Sequence, residues 1–161
     1  MISAAHTYFK NTEAVADKLA EIKNLLGDYN AALPTGDAKA PTATTYFEEI
    51  AVYLGEVPSF RFYFAGDYTA SDFTFKVGNR AATVIEGDGY VEIVMYAYMM
   101  LDDVTFTVKS NGETGTYNLY SYHAYAPTLN VENLVAVVEA LMKYSVSAGN
   151  YRNSVIGMNN E

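Results

Sequence analysis

The sequence predicts a mainly β domain: an immunoglobulin-like, seven-stranded antiparallel sandwich with an N-terminal helical segment and a C-terminal helix. Three observations predict it. From about residue 42 to Tyr122, short runs of aromatic and β-branched residues recur between Gly- and Asn-bearing turns, at the spacing of about 8–12 residues that sandwiches show. The 15 Tyr and 8 Phe, with no Trp, suit pleated and half-buried surfaces. The two ends instead repeat their apolar residues at helical spacing. The Cys pair and Trp of immunoglobulin domains are missing, so the assignment rests on strand spacing.

The elements follow in order. In residues 2–26, Val15, Leu19, Ile22 and Leu26 stand at i, i+4, i+7 and i+11 and make one apolar stripe; Ile2, Ala5 and Phe9 make another a step earlier. Thr12 is a capping residue between them, so the segment reads as one helix or two joined near residue 11. Gly27 ends it as a C′ glycine. Residues 34–44, PTGDAKAPTAT, are small, polar and Pro/Gly-bearing, a linker or an irregular crossing. The chain thus divides into an N-terminal helical segment, 1–33, and a β-sandwich domain with its C-terminal helix, 42–161.

In the sandwich, Tyr46–Leu54 places Tyr46, Ile50, Val52 and Leu54 on one side. Ser59–Phe64 alternates, with Phe60, Phe62 and Phe64 against Arg61 and Tyr63. After the turn at Gly66-Asp67, Asp72–Val77 sends Phe73, Phe75 and Val77 inward, and Gly78-Asn79 joins it to Ala81–Ile85 as a hairpin. Past Gly87-Asp88-Gly89, Tyr90–Met100 reads as the longest strand. It is apolar on both sides, hence central or facing a partner. Val104–Val108 and Thr114–Tyr122 pair around Asn111-Gly112, the strongest short turn signal in the chain. Pro127 stops the sheet and Asn130 caps the last helix, Leu134–Tyr151. That helix repeats Leu134, Val138, Leu141, Ser145 and Ala148 at i, i+4, i+7, i+11 and i+14. Burying its aliphatic members at about 1.5–3 kcal/mol each fixes it on the sheet.

Composition bounds the function. The 161 residues suffice for one domain, or one domain with a helical appendage. The net charge of −9, from 19 acids against 10 scattered bases, argues against nucleic-acid partners and against anionic membranes. No run of about 18 apolar residues is present, so no membrane span is expected. With no cysteine there is no disulfide framework, Cys-ligated zinc or thiol catalysis. No signal peptide is visible after Met1; in a piece of a longer chain it would lie elsewhere.

The two ends echo each other. Ala5-His6-Thr7-Tyr8, followed by Phe9-Lys10-Asn11-Thr12, parallels Ala148-Gly149-Asn150-Tyr151, followed by Arg152-Asn153-Ser154. Ala140–Tyr151, ALMKYSVSAGNY, resembles a helix that follows a sandwich in repeated modules of large surface proteins of gut Firmicutes, of the form A-L-x-x-Y-[GS]-x-[AS]-A-x-x-Y. The opening SAAHTYFKNTEAVADKL resembles the sequel of that helix, and VTFTVKSNGETGTYNLYSYHAYA the strand pair before it. The resemblance implies a repeated extracellular module, found beside S-layer-homology, leucine-rich or dockerin segments, with no activity of its own.

No motif assigns a reaction. His6 and His123 have no metal-ligand spacing, and no metal or cofactor is expected. Glu48-Glu49, Glu86/Asp88 and Asp102-Asp103 are the acid clusters. Two converging carboxylates would suit glycoside hydrolysis, and Glu86-Gly-Asp88 with a third acid would suit calcium, but the full calcium-loop pattern is absent. There is no Gly-x-Ser-x-Gly elbow, P-loop or G-x-G-x-x-G. The tyrosines remain: Tyr96 and Tyr98 share one strand face, as do Tyr120 and Tyr122, with Tyr125 nearby. Exposed aromatics of this kind stack on sugars or anchor protein partners; otherwise they pack under the helices. Met95, Met99 and Met100 read as core filler.

The leading expectation is a non-enzymatic module, secreted or at the cell surface, acting as a spacer, scaffold or adhesive repeat. Its partners would be neighbouring modules of the same polypeptide, and a polysaccharide or a host or bacterial surface protein. The alternative is a carbohydrate-binding module using the tyrosines, and a third reading is a small hydrolase with acids from residues 86–103.

Overall fold

The computed structural model describes residues 32–39, 45–131 and 133–158. The chain divides into compact units at Met1–Ala32 and Leu33–Glu161. The readings of residues 2–27, including His6, Thr12 and Gly27, lie outside the described residues, as does the first half of the echo between the ends.

Strict alternation makes the sheets. Strands β1 (Phe47–Leu54), β2 (Pro58–Phe64), β3 (Phe73–Val77), β4 (Arg80–Ala81), β5 (Val84–Gly87), β6 (Tyr90–Val94), β7 (Val104–Val108) and β8 (Thr114–Tyr117) form two four-stranded sheets. Sheet 1 runs β1-β2-β6-β5 and sheet 2 runs β4-β3-β7-β8, with every neighbouring pair antiparallel. Phe60, Phe62, Val91 and Ile93 of sheet 1 are fully buried, and so are Phe73, Val77, Val104, Phe106 and Val108 of sheet 2 to within a few per cent. The rings meet across the interior: Phe62 is 5.5 Å from Phe75 and 6.3 Å from Tyr117, and Phe60 is 5.5 Å from Tyr117.

The domain is mainly β with a C-terminal helix, as expected, but its described residues form eight strands where seven are read from the sequence. The extra strand comes from a division. Residues 81–85 do not form one strand of a hairpin with β3. Only Arg80 and Ala81 pair with β3, and Val84–Gly87 pair with β6. The change of sheet falls at Ala82–Thr83, where Ala82 N–H donates to Phe75 O at 3.1 Å and Thr83 O accepts from Val94 N–H at 3.0 Å.

Three further boundaries differ. A bulge between Phe47 and Glu49 leaves Glu48 unpaired, which puts Phe47 on the side of Ile50 and Val52. Phe47 therefore joins the aromatic core, with centroids 5.1 Å from Phe62, 4.9 Å from Phe73 and 5.0 Å from Phe106. Strand β6 ends at Val94, not Met100; Met95 N–H donates to Pro58 O at 2.8 Å and Ala97–Met99 form a 3-10 turn. Met95, Met99 and Met100 are all buried there. Strand β8 ends at Tyr117, not Tyr122, because Asn118 caps helix α1 (Leu119–Tyr125), its side chain accepting from Ser121 N–H at 2.9 Å. Pro127 accordingly sits in the 3-10 turn Ala126–Leu129 after α1 and does not stop the sheet. Asn130, in the left-handed region at φ 51°, closes that turn and does not cap the last helix.

Helix α2 spans Leu134–Met158. Leu134, Val138, Met142 and Ser145 are its buried face. No described side chain after Ser145 is buried, so the helix runs about 20 Å past its last core residue at 1.5 Å per residue. The described part of the Pro/Gly-bearing segment, Leu33–Lys39, is held on the domain: Asp37 O accepts from Asn118 Nδ2 at 3.0 Å, and Lys39 N–H donates to Ser121 Oγ at 2.9 Å.

Candidate functional site

The five candidate tyrosines fall in two places. Tyr96 and Tyr98 lie on the connection from β6 to β7, where the 3-10 turn replaces the expected strand. Residues two apart in such a turn do not share a pleated face, yet the turn still lays the two rings parallel, 5° apart in plane with centroids 6.1 Å apart. Tyr96 is 49% exposed and Tyr98 is half-buried. The second group sits on α1, not on a strand; at 100° per residue Tyr122 and Tyr125, three apart, share one side of the helix and Tyr120 lies on another. Tyr120 lies against the backbone of Gly36, where a Cβ would collide with its ring, and burial pushes its phenol up. Tyr122 is half-buried; burial, then the charge of Glu49, pushes its phenol up. Tyr125 is exposed. The structure thus brings Tyr96 and Tyr98 together, keeps Tyr125 beside Tyr122, and sets Tyr120 apart from both.

Arg152 of α2 completes the first group. Its guanidinium carbon lies 4.5 Å from the Tyr98 ring centroid, in cation–π contact. Sequence reasoning stopped at the tyrosines because Arg152 stands 54 positions from Tyr98 and meets it only when α2 crosses the turn.

A second cluster was also missed. On the outer face of sheet 1, the Arg61 guanidinium carbon is 3.4 Å from the Tyr53 centroid and 4.8 Å from that of Tyr90, while Tyr63 is 5.3 Å from Tyr90. Arg61 Nε donates to Glu92 Oε2 at 2.8 Å. Burial works against the charge of Arg61, but the hydrogen bonds to Glu92 and Tyr63 outweigh it and raise its pKa. The signal in the sequence was the alternation of Ser59, Arg61 and Tyr63, opposed in register by Tyr90 and Glu92. This cluster is internally satisfied, with its one cation paired to its one anion.

The acids are divided between sheets. Glu86 and Asp88 lie on the β5–β6 hairpin of sheet 1, whereas Asp102 and Asp103 precede β7 of sheet 2. Asp103 accepts from Asn118 Nδ2 at 2.8 Å. His123 Nε2 lies 3.3 Å from Glu139 Oε1 and links α1 to α2. Among the described residues no three His, Asp or Glu side chains converge, and no helix is long and apolar enough to cross a membrane. In comparison with known proteins, the chain matches no family model, no curated protein and no solved structure.

Proposed function

We propose that this is an immunoglobulin-like, non-catalytic module of a larger bacterial surface protein, secreted or displayed on the cell, where it acts as spacer, scaffold or adhesive unit. Strand order supports the immunoglobulin-like part. Lettering the strands A, B, C, C′, D, E, F and G in chain order turns β1-β2-β6-β5 into A-B-E-D and β4-β3-β7-β8 into C′-C-F-G. The first is the four-stranded sheet of constant-type domains, and the second is their C-F-G sheet extended by one strand.

The observation that carries the module reading is the run of α2 beyond Ser145, with Val146, Tyr151 and Val155 exposed along it. A helix half that exposes apolar residues suits a joint with a neighbouring module of the kind its sequence resembles. Small-angle scattering from two copies of the chain joined end to end tests this. A single well-defined separation of the two sandwiches is the expected result; a broad distribution, as from a flexible tether, would remove the joint. Protease treatment of intact source cells tests the location, with release of the module expected.

A second reading, carbohydrate binding, is favoured by the parallel rings of Tyr96 and Tyr98. Affinity electrophoresis against soluble polysaccharides tests it, with retardation expected from the parent chain and lost in Tyr96→Ala.

A further inference from the structure

We propose that the Tyr96–Tyr98–Arg152 surface takes carboxylated saccharides, uronate-type sugars, a proposal that rests on the carbohydrate reading of the two rings. Tyr96, stacked parallel to Tyr98, offers an apolar π face to the C–H face of a sugar ring. Tyr96, at 49% exposure, is the accessible member, and Tyr98 is covered on one side by Arg152.

The guanidinium decides the class of sugar. Its carbon lies over the Tyr98 ring, and a guanidinium carries its N–H donors in its own plane, in a fork that matches a carboxylate bidentately. Among the described residues no carboxylate lies within ion-pair distance of it; the ion pairs are Arg61–Glu92 and His123–Glu139. The single acid of α2 is Glu139, about 20 Å away along the helix axis and engaged with His123. From Tyr144 to Ile156 the helix carries Arg152 and no acid. Arg152 is therefore the one charge that residues 144–156 of the helix bring to this surface, on a chain of net charge −9. A carboxylated sugar satisfies both halves of the surface at once. A neutral sugar leaves the guanidinium to water, and inorganic phosphate leaves the rings unused.

Titration of the full chain with trimers of galacturonate, glucuronate and mannuronate, followed by NMR, tests the proposal. Their methyl esters and inorganic phosphate serve as the paired probes. At least one uronate trimer is expected to shift the side-chain resonances of Tyr96 and the Nε–H of Arg152, and to bind at least ten-fold tighter than its ester. Arg152→Gln is expected to lower uronate affinity to that of the ester and leave ester binding unchanged, with Arg152→Lys between the two. Tyr96→Ala is expected to weaken both sugars. Equal binding of uronate and ester, or Arg152→Gln binding uronate like the parent, overturns the carboxylate assignment and leaves the carbohydrate reading standing. No binding of any sugar overturns both. Phosphate binding as tight as the best uronate overturns the saccharide assignment.

Discussion

Asn118 Nδ2 donates to Asp103 Oδ1 at 2.8 Å, so a buried amide ties the start of β7 to the cap of α1. The same amide donates to Asp37 O at 3.0 Å, and its Oδ1 accepts from Ser121 N–H at 2.9 Å. One neutral side chain thus fastens three separate parts of the chain.

Removing it is costly. Asn118→Ala deletes the cap and strands Asp103 and the Asp37 carbonyl, and is expected to lower unfolding free energy by about 3 kcal/mol. Asn118→Asp keeps the cap acceptor but sets a second carboxylate against Asp103. Repulsion opposes holding both carboxylates ionised in the folded state, so the penalty is present at neutral pH, fades as pH falls, and is gone below the unfolded carboxylate value of about 4. Urea unfolding of the variants at neutral and acid pH reads both effects.

Ser59 is the converse. It is fully buried between Tyr53 and Val94 in the register of sheet 1, and its Oγ has no hydrogen-bond partner among the described residues. Ser59→Ala is expected to leave stability unchanged or raise it by about 1 kcal/mol. A loss of more than that in thermal or urea unfolding would require a partner for the hydroxyl.

Gly115 faces Phe106 in the β7–β8 register, and a Cβ there would collide with the Phe106 ring. The aromatic ring lies across the glycine, a cross-strand pairing that an added methyl breaks. Gly115→Ala is expected to cost about 1–3 kcal/mol. Gly66→Ala offers a contrast, since no atom lies near its Cβ and only its positive φ of 56° opposes the change; about 1 kcal/mol is expected.

Four phenols hold their protons more tightly than usual. Burial pushes up Tyr117, Tyr120 and Tyr122, and the hydrogen bond to Glu113 pushes up Tyr46. Their folded pKa values lie above the unfolded value of about 10. The folded chain then keeps protons that the unfolded chain has lost. Stability from this source is complete below pH 10 and declines as pH rises through it. Tyrosinate absorbance is expected to rise in two steps, the second coinciding with unfolding. Tyr117→Phe is expected to lessen the alkaline loss while changing stability little at neutral pH.

Where burial has one face, the sequence was readable. Phe60 and Phe62, and Phe73, Phe75 and Val77, alternate in and out as their spacing says, and the Gly112 turn lies where Asn111-Gly112 places it. Where burial surrounds a segment, periodicity carries no period. Met95–Met100 is apolar on all sides because α2 covers it, so a 3-10 turn read as a strand. The bulge at Glu48 reverses the parity of β1 without altering composition. Asn118 with Ser121 three residues on was a legible helix start, but the aromatics that follow favoured a strand. At the candidate site the tyrosines were legible as a pair; the cation above them was not, since it comes from a helix that docks only in the finished fold.

The change of sheet at Ala82–Thr83 gives the domain a sewn side and an open side. Backbone passes between the sheets there, bonded to Phe75 on one side and to Val94 on the other. Strands β1 and β8 border their sheets at the other edges. At that border the Tyr46 hydroxyl, just ahead of β1, donates to Glu113, just ahead of β8, and accepts from Asn111. Besides the β2–β3 and β6–β7 connections, the two sheets are therefore joined along one edge by a backbone hinge at residues 82–83 and along the other by a polar clasp at Tyr46 and Glu113. Thermal breathing should begin at the clasp, so amides of β1 and β8 exchange with solvent before those flanking the hinge.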